Sequence, residues 1–202
     1  MTALLTPPLS APVQPPTGPR PFRWTLALFH RMGDMGLFEG RRAKLIHGQL
    51  IEEGPMDPAH AIAVEKSDAE LRTAFGKGWR YRVQLPLVLG QDTDPMPDIA
   101  VIRGAPGALV HPTSAELVVE IADSSLNFDI TTKAELYATA GIADHWVLDL
   151  DGRRLLVFRD PVPLPAGLGS TAYRTHLTFG PTDSVSPLAH PAAVVRVADL
   201  LP

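Results

Sequence analysis

Residues 116–122 read ELVVEIA, an apolar run that opens with Glu116 and has a second carboxylate, Glu120, set inside it. A short apolar run without alternation suits a central strand covered on both faces. An unpaired carboxylate buried in such a strand costs several kcal/mol, so Glu120 needs a cation, a basic partner or a cavity. A structural ion pair would satisfy it equally well. A strand covered on both sides also calls for helices around a sheet. In a chain of 202 residues that points to one α/β domain with a single sizeable core.

The neighbouring segments supply the other layers. Residues 97–103 (PDIAVIR) predict a strand that opens with Asp98. Residues 129–140 carry a helical pattern that stops at Gly141. Residues 145–150 and 154–159 flank Asp151-Gly152, a hairpin signal. A second hairpin is expected over residues 44–53 (KLIHGQLIEE), turning at His47-Gly48. Asp57 and Pro58 then form a start signal for a helix running to residue 75. Residues 79–89 alternate as a strand with Gln84 on its polar side, and Pro86 implies an edge or bulge. A short helix is expected within residues 23–35. A Pro/Gly loop is expected over 161–169, a strand over 173–179, and a strand with a terminal turn over 194–201. Residues 1–22 hold seven prolines and no apolar period, so they read as a disordered or extended tail ahead of a single domain, 23–202.

Composition excludes some chemistries. Cysteine is absent, which rules out disulfides and thiolate metal ligands and fits a reducing compartment. The formal charge of −4 argues against a broad nucleic-acid-binding surface but leaves room for a local basic rim. No apolar run reaches the roughly 18 residues of a bilayer span. No cationic segment precedes an apolar one at the N-terminus, so the expected location is the cytoplasm, with no membrane partner.

Three charged residues could form a site. Asp98 follows a proline and points from a strand end, although on its own it also suits a turn or cap. Lys133 stands four residues after Asp129, a spacing that equally describes a solvated helical pair. Asp98, Glu120 and Lys133 occur in the order strand, strand, helix. Two carboxylates so placed suit a hard cation such as Mg²⁺. Metal and ammonium together suit attack on a phosphodiester, which resists hydrolysis because its charge repels the nucleophile.

The series PMPDIAVIRG, ELVVEIADSS, then Asp129, three residues, Lys133, Tyr137, Gly141 and Trp146 resembles the Uma-type putative restriction endonuclease family (DUF820) of the PD-(D/E)XK nuclease superfamily. The resemblance spans residues 24–201 and is densest over 95–160. It implies a restriction-endonuclease-like fold, a mixed central β-sheet flanked by helices with extra β-hairpins. It implies a Mg²⁺ site, with Mn²⁺ as a substitute, on Asp98 and Glu120, and DNA as substrate. Ala122 stands where the superfamily lysine usually falls, so Lys133 takes that role. Gln84, His60, Glu52, Asp129 and Tyr137 are supporting candidates, with packing or capping as the plainer role for His60 and Tyr137. Residues 123–125 suit a helix cap or a cleft lining. A homodimer is expected, because sheet edges and Pro-bounded strands invite pairing and nucleases that cut both strands often work as dimers. One departure stands out: Lys44, His47 and Gln49 occupy positions where acidic residues are typical. That change supports a rival reading, a nuclease-fold module that binds without cutting. A third reading is a hydrolase of small phosphoesters.

Overall fold

The computed structural model describes residues 18–104, 109–165 and 171–202. Helix α1 (Leu26–Asp34) begins where Thr25 Oγ1 accepts from the Leu28 N–H at 3.2 Å. Strands β1 (Arg42–Ile46) and β2 (Gln49–Glu53) form an antiparallel hairpin. Its two turn residues, His47 and Gly48, both have positive φ, as a tight hairpin turn requires. Helix α2 (Pro58–Phe75) is capped by Asp57, whose carboxylate accepts from Ala59 and His60 and is held below its usual pKa by those bonds.

Six strands then form the central sheet: β3 (Trp79–Val83), β4 (Ile99–Arg103), β5 (Leu117–Ala122), β6 (Asp144–Asp149), β7 (Arg154–Pro163) and β8 (Thr171–Phe179). They lie in sequence order and are antiparallel except for the parallel β5–β6 pair. That parallel step needs a crossover. The chain supplies α3 (Leu126–Phe128), a π-helical turn (Asp129–Lys133) and α4 (Ala134–Thr139). The small ladder of β9 (Ser184–Val185) and β10 (Val195–Arg196) leads into α5 (Val197–Leu200).

Strand alternation decides what each face of β5 meets. Val119 and Ile121 pack with Val64, Leu71 and Phe75 of α2 and with Val197 and Leu200 of α5. Val118 and Ala122 pack with Leu136, Tyr137 and Ala138 of α4. Glu120 shares the second face, so it points at the helix that follows the π turn. Every residue of β5 is buried.

The fold is therefore a mixed α+β sheet flanked by helices, with a separate hairpin, as expected. Several local expectations need correction. The strand predicted over 79–89 stops at Val83, because Gln84 adopts a left-handed backbone (φ 50). The predicted helix over 129–140 starts earlier, at Leu126, and contains the π turn. The residues before α3 make no side-chain cap; Ser125 Oγ instead donates to Asp129 Oδ2 at 2.5 Å. The β6–β7 link is four residues long, 150–153, one more than between the predicted strands. In it the Gly152 N–H donates to Asp149 Oδ1 at 2.9 Å, and Arg153 takes a positive φ. The loop predicted over 161–169 begins later, since β7 runs to Pro163; its residues 166–169 lie outside the described residues. Most of the predicted tail, residues 1–17, also lies outside them.

Candidate active site

Ile99 pairs with Val119, so one step further along the register Asp98 stands across from Glu120. Residues opposed in register share a face of the sheet, and Asp98, just ahead of β4, lies on the face of Glu120. Asp98 is almost fully hydrogen-bonded. Its Oδ1 lies 3.1 Å from His60 Nε2 and accepts from Gln84 Nε2 at 3.1 Å. Its Oδ2 accepts from the Ile121 N–H at 2.9 Å, one residue beyond Glu120. Burial works to raise the Asp98 pKa, but the His60 contact and the Ile121 bond outweigh it and hold the carboxyl below its ordinary value. His60 is pushed up in turn by Asp98. Gln84 also donates its own N–H to the Asp98 carbonyl at 3.0 Å.

Glu120 is 1% exposed. Its Oε2 accepts from Lys133 Nζ at 2.9 Å and its Oε1 from the Tyr137 hydroxyl at 2.5 Å. Lys133 Nζ also lies 2.7 Å from Asp129 Oδ1 as an ion pair, out of line for a hydrogen bond. Burial pushes Glu120 up to about 7, against the pull of Lys133. Burial would lower Lys133, but Glu120 and Asp129 more than reverse that, so the ammonium stays charged. Burial and the nearby Glu120 likewise keep Tyr137 protonated, as a donor.

The Asp129–Lys133 pair, whose spacing equally suits a solvated helical pair, is buried at both ends, with Asp129 1% and Lys133 4% exposed. The π turn carries both residues, and such turns occur often at functional sites. His145, fully buried on β6, lies under this turn with Nε2 3.4 Å from the Asp129 carbonyl and its ring 5.0 Å from that of Tyr137. Nothing in the sequence marked His145 as a support for the site. It read only as the start of a strand.

A cavity of about 340 Å³ opens beside these groups, lined in part by Asp98, His60, Lys133, Phe128, Lys44 and Arg42. Glu120 lies behind its wall. The cluster joins Asp98, Gln84, His60, Glu120, Lys133, Asp129 and Tyr137. It leaves out Glu52, which sits on the rim and pairs with Arg41 at 3.0 Å. Lys44 is buried in the hairpin wall, with Nζ 2.5 Å from Glu53 Oε1 and 3.0 Å from the Met96 carbonyl.

Residues 26–198 match the Uma2 family, described as putative restriction endonucleases. This chain belongs to the Uma2 family. Among solved structures, a putative nuclease of DUF820 from Anabaena variabilis is similar, with a TM-score of 0.61 at 17% identity. The match covers 78% of this Uma2 chain and 88% of that one, a likeness of fold. No curated protein matches the chain. Among the described residues no helix is long and apolar enough to cross a membrane.

The donor set of the Uma2 site suits a hard divalent cation. Its carboxylates offer oxygen only, and Asp98 Oδ2 and both Glu120 oxygens each keep a free lone pair beyond the bonds described. Burial is the main cause of the raised Glu120 pKa, Lys133 opposes it, and the charges of Asp129 and Asp98 add to it. Among the described residues no group of three or more His, Asp or Glu forms a ready cage. One or two carboxylates completed by water and substrate phosphate is the usual pattern for Mg²⁺.

Proposed function

We propose that this Uma2 chain is a Mg²⁺-dependent endonuclease of the cytoplasm that hydrolyses DNA phosphodiester bonds, with Mn²⁺ able to substitute. Asp98 and Glu120 are the metal ligands and Lys133 is the cation beside the attacking water. The observation that carries this reading is the meeting of two opposed strand carboxylates with a helix lysine, 2.9 Å from Glu120, next to a cavity. A bound divalent cation supplies polarisation of the phosphate and a lower pKa for water.

The protein's own groups do the rest. Lys133, charged throughout the working pH range, offsets negative charge that develops at the phosphate. Tyr137 holds one oxygen of Glu120 and so orients its carboxylate. His60 and Gln84 fix Asp98 from one side and the Ile121 N–H fixes it from the other. Nucleases that cut both strands of a duplex often pair two such sites, so the reading includes a homodimer, which sedimentation of the free protein tests.

D98A and E120A should each abolish Mg²⁺-dependent cleavage of DNA while circular dichroism stays native. Cleavage that survives both changes would overturn the assignment. A second reading, a nuclease-fold module that binds without cutting, draws on one observation: both oxygens of Glu120 are already engaged and its side chain is closed off from the cavity. Calorimetric titration with Mg²⁺ and Mn²⁺ separates the two, since a folded protein that takes up neither ion favours the module.

A further inference from the structure

We propose that the substrate's phosphodiester chain leaves the cavity across the β1–β2 hairpin, where Arg42 receives the phosphate next to the scissile one. This rests on the nuclease reading and specifies its substrate as a linear polymer rather than a small phosphoester. The cavity beside Asp98 and Lys133 adjoins a second hollow of about 580 Å³ bounded by residues 40–42 and 52–55. Arg42, Glu52, Glu53, Gly54 and Pro55 line both, so the two spaces form one groove along the hairpin. A small ester needs only the first space. A polymer must continue past the bond that is cut.

The charge along this wall fits a polyanion. On the hairpin itself three cations, Arg41, Arg42 and Lys44, outnumber two carboxylates, Glu52 and Glu53, while across the first cavity Asp57, Asp98 and Asp123 face Lys133. Glu53 holds two of the cations at once. Its Oε1 takes buried Lys44 at 2.5 Å, and its Oε2 takes Arg42 Nη2 at 3.3 Å. Lys44 is also bound to the Met96 carbonyl and cannot leave without orphaning it. The Arg42 side chain is 38% exposed and its pair with Glu53 is the longer one. Exposed ion pairs add little to stability. Arg42 can therefore exchange Glu53 for a phosphate at little cost, and Glu53 keeps Lys44. A guanidinium fork matches two phosphate oxygens at once. Arg42 lines the same cavity as His60, Asp98 and Lys133, so the phosphate it takes lies close to the reacting one.

The test uses the full chain in EDTA with fluorescein-labelled single-stranded DNA of about 12 nucleotides, binding being measured over a range of salt. Each phosphate contact contributes about 0.7 to the slope of log K against log salt for single strands. R42Q should lower that slope by about that amount and raise KM for cleavage of the same oligonucleotide when Mg²⁺ is added. R42K should keep most of the slope. R103Q, which removes an arginine paired with Glu116 rather than lining either hollow, should leave both quantities at the wild-type value. Wild-type behaviour of R42Q in a protein that cleaves would overturn this inference alone. A wild-type chain that neither binds nor cuts the oligonucleotide would overturn the nuclease reading and this inference with it.

Discussion

Gln84 shows what a single residue gives up for position. Its φ of 50 lies in the left-handed region, where a non-glycine residue carries strain of about 1–3 kcal/mol. From that conformation its N–H reaches the Asp98 carbonyl and its amide reaches Asp98 Oδ1. Q84G relieves the strain and Q84A keeps it, while both remove the side-chain bond. Q84G should therefore be the more stable of the two by about 1 kcal/mol in urea unfolding, with cleavage impaired in both. Equal stabilities would show that the backbone at this residue is not strained. His145 makes a second prediction. Burial lowers its folded pKa to about 3 from an unfolded 6.5. The depressed value means that the unfolded chain binds the extra proton first. Stability from this group is complete above pH 6.5 and is lost as the pH falls toward 3, by up to about 5 kcal/mol. H145F should flatten the acid limb of the stability curve between those values, as followed by urea unfolding at each pH.

The element that matters most is the π turn. One extra residue per turn lets Asp129, Lys133 and Tyr137 all reach toward Glu120 while Ser125 still reaches Asp129. Deleting the exposed Thr131 should restore an ordinary helix and swing Lys133 off Glu120. The deletion variant should keep its circular dichroism and lose cleavage. K133M tests the same cluster energetically. It leaves Glu120 and Asp129 buried without their cation, so it should cost about 3–5 kcal/mol in the neutral range. A loss below about 1 kcal/mol would mean that solvent reaches the cluster.

This helix also marks where the sequence was readable and where it was not. The spacing of Asp129 and Lys133 is visible along the chain, but it is the same for a solvated pair and a buried one. Burial comes from the face on which Glu120 emerges, and that follows from strand alternation once α4 is known to cover β5. The β1–β2 turn and the Asp57 cap were legible because their causes are local: a left-handed pair in one case, a carboxylate beside two free N–H groups in the other. The π turn and the left-handed Gln84 were not, because both are imposed by contacts with Asp98 and Glu120, distant along the chain.

At the scale of the whole molecule, the six-stranded sheet and the hairpin differ in how they are held. The sheet strands β4, β5 and β6 are buried between helices on two faces. The hairpin is a sheet of two strands, tied to the rest by buried Leu45 and Ile46, by Lys44 on the Met96 carbonyl, and by backbone bonds, among them Trp24 N–H to Gly48 at 2.9 Å, Gly48 N–H to Asp92 at 2.8 Å and Asp94 N–H to Leu45 at 2.7 Å. Isolated hairpins are marginal in water. Hydrogen exchange should therefore find the β1–β2 amides opening well before those of β5, and removal of residues up to Trp24 should widen the gap. Equal protection would join the hairpin to the core as one cooperative unit.

The amino-acid order alone determined the element types, the presence of a covered strand with a carboxylate inside it, and the residues able to serve a phosphodiester site, since each is a matter of local period, turn chemistry or donor type. Only the tertiary structure decided that Asp98 faces Glu120, that Tyr137 and His145 brace the site, that Glu52 stays on the rim, and that Arg42 joins two hollows. Those facts depend on strand register and on which helix covers which face. Both are set by burial of the whole apolar surface at once.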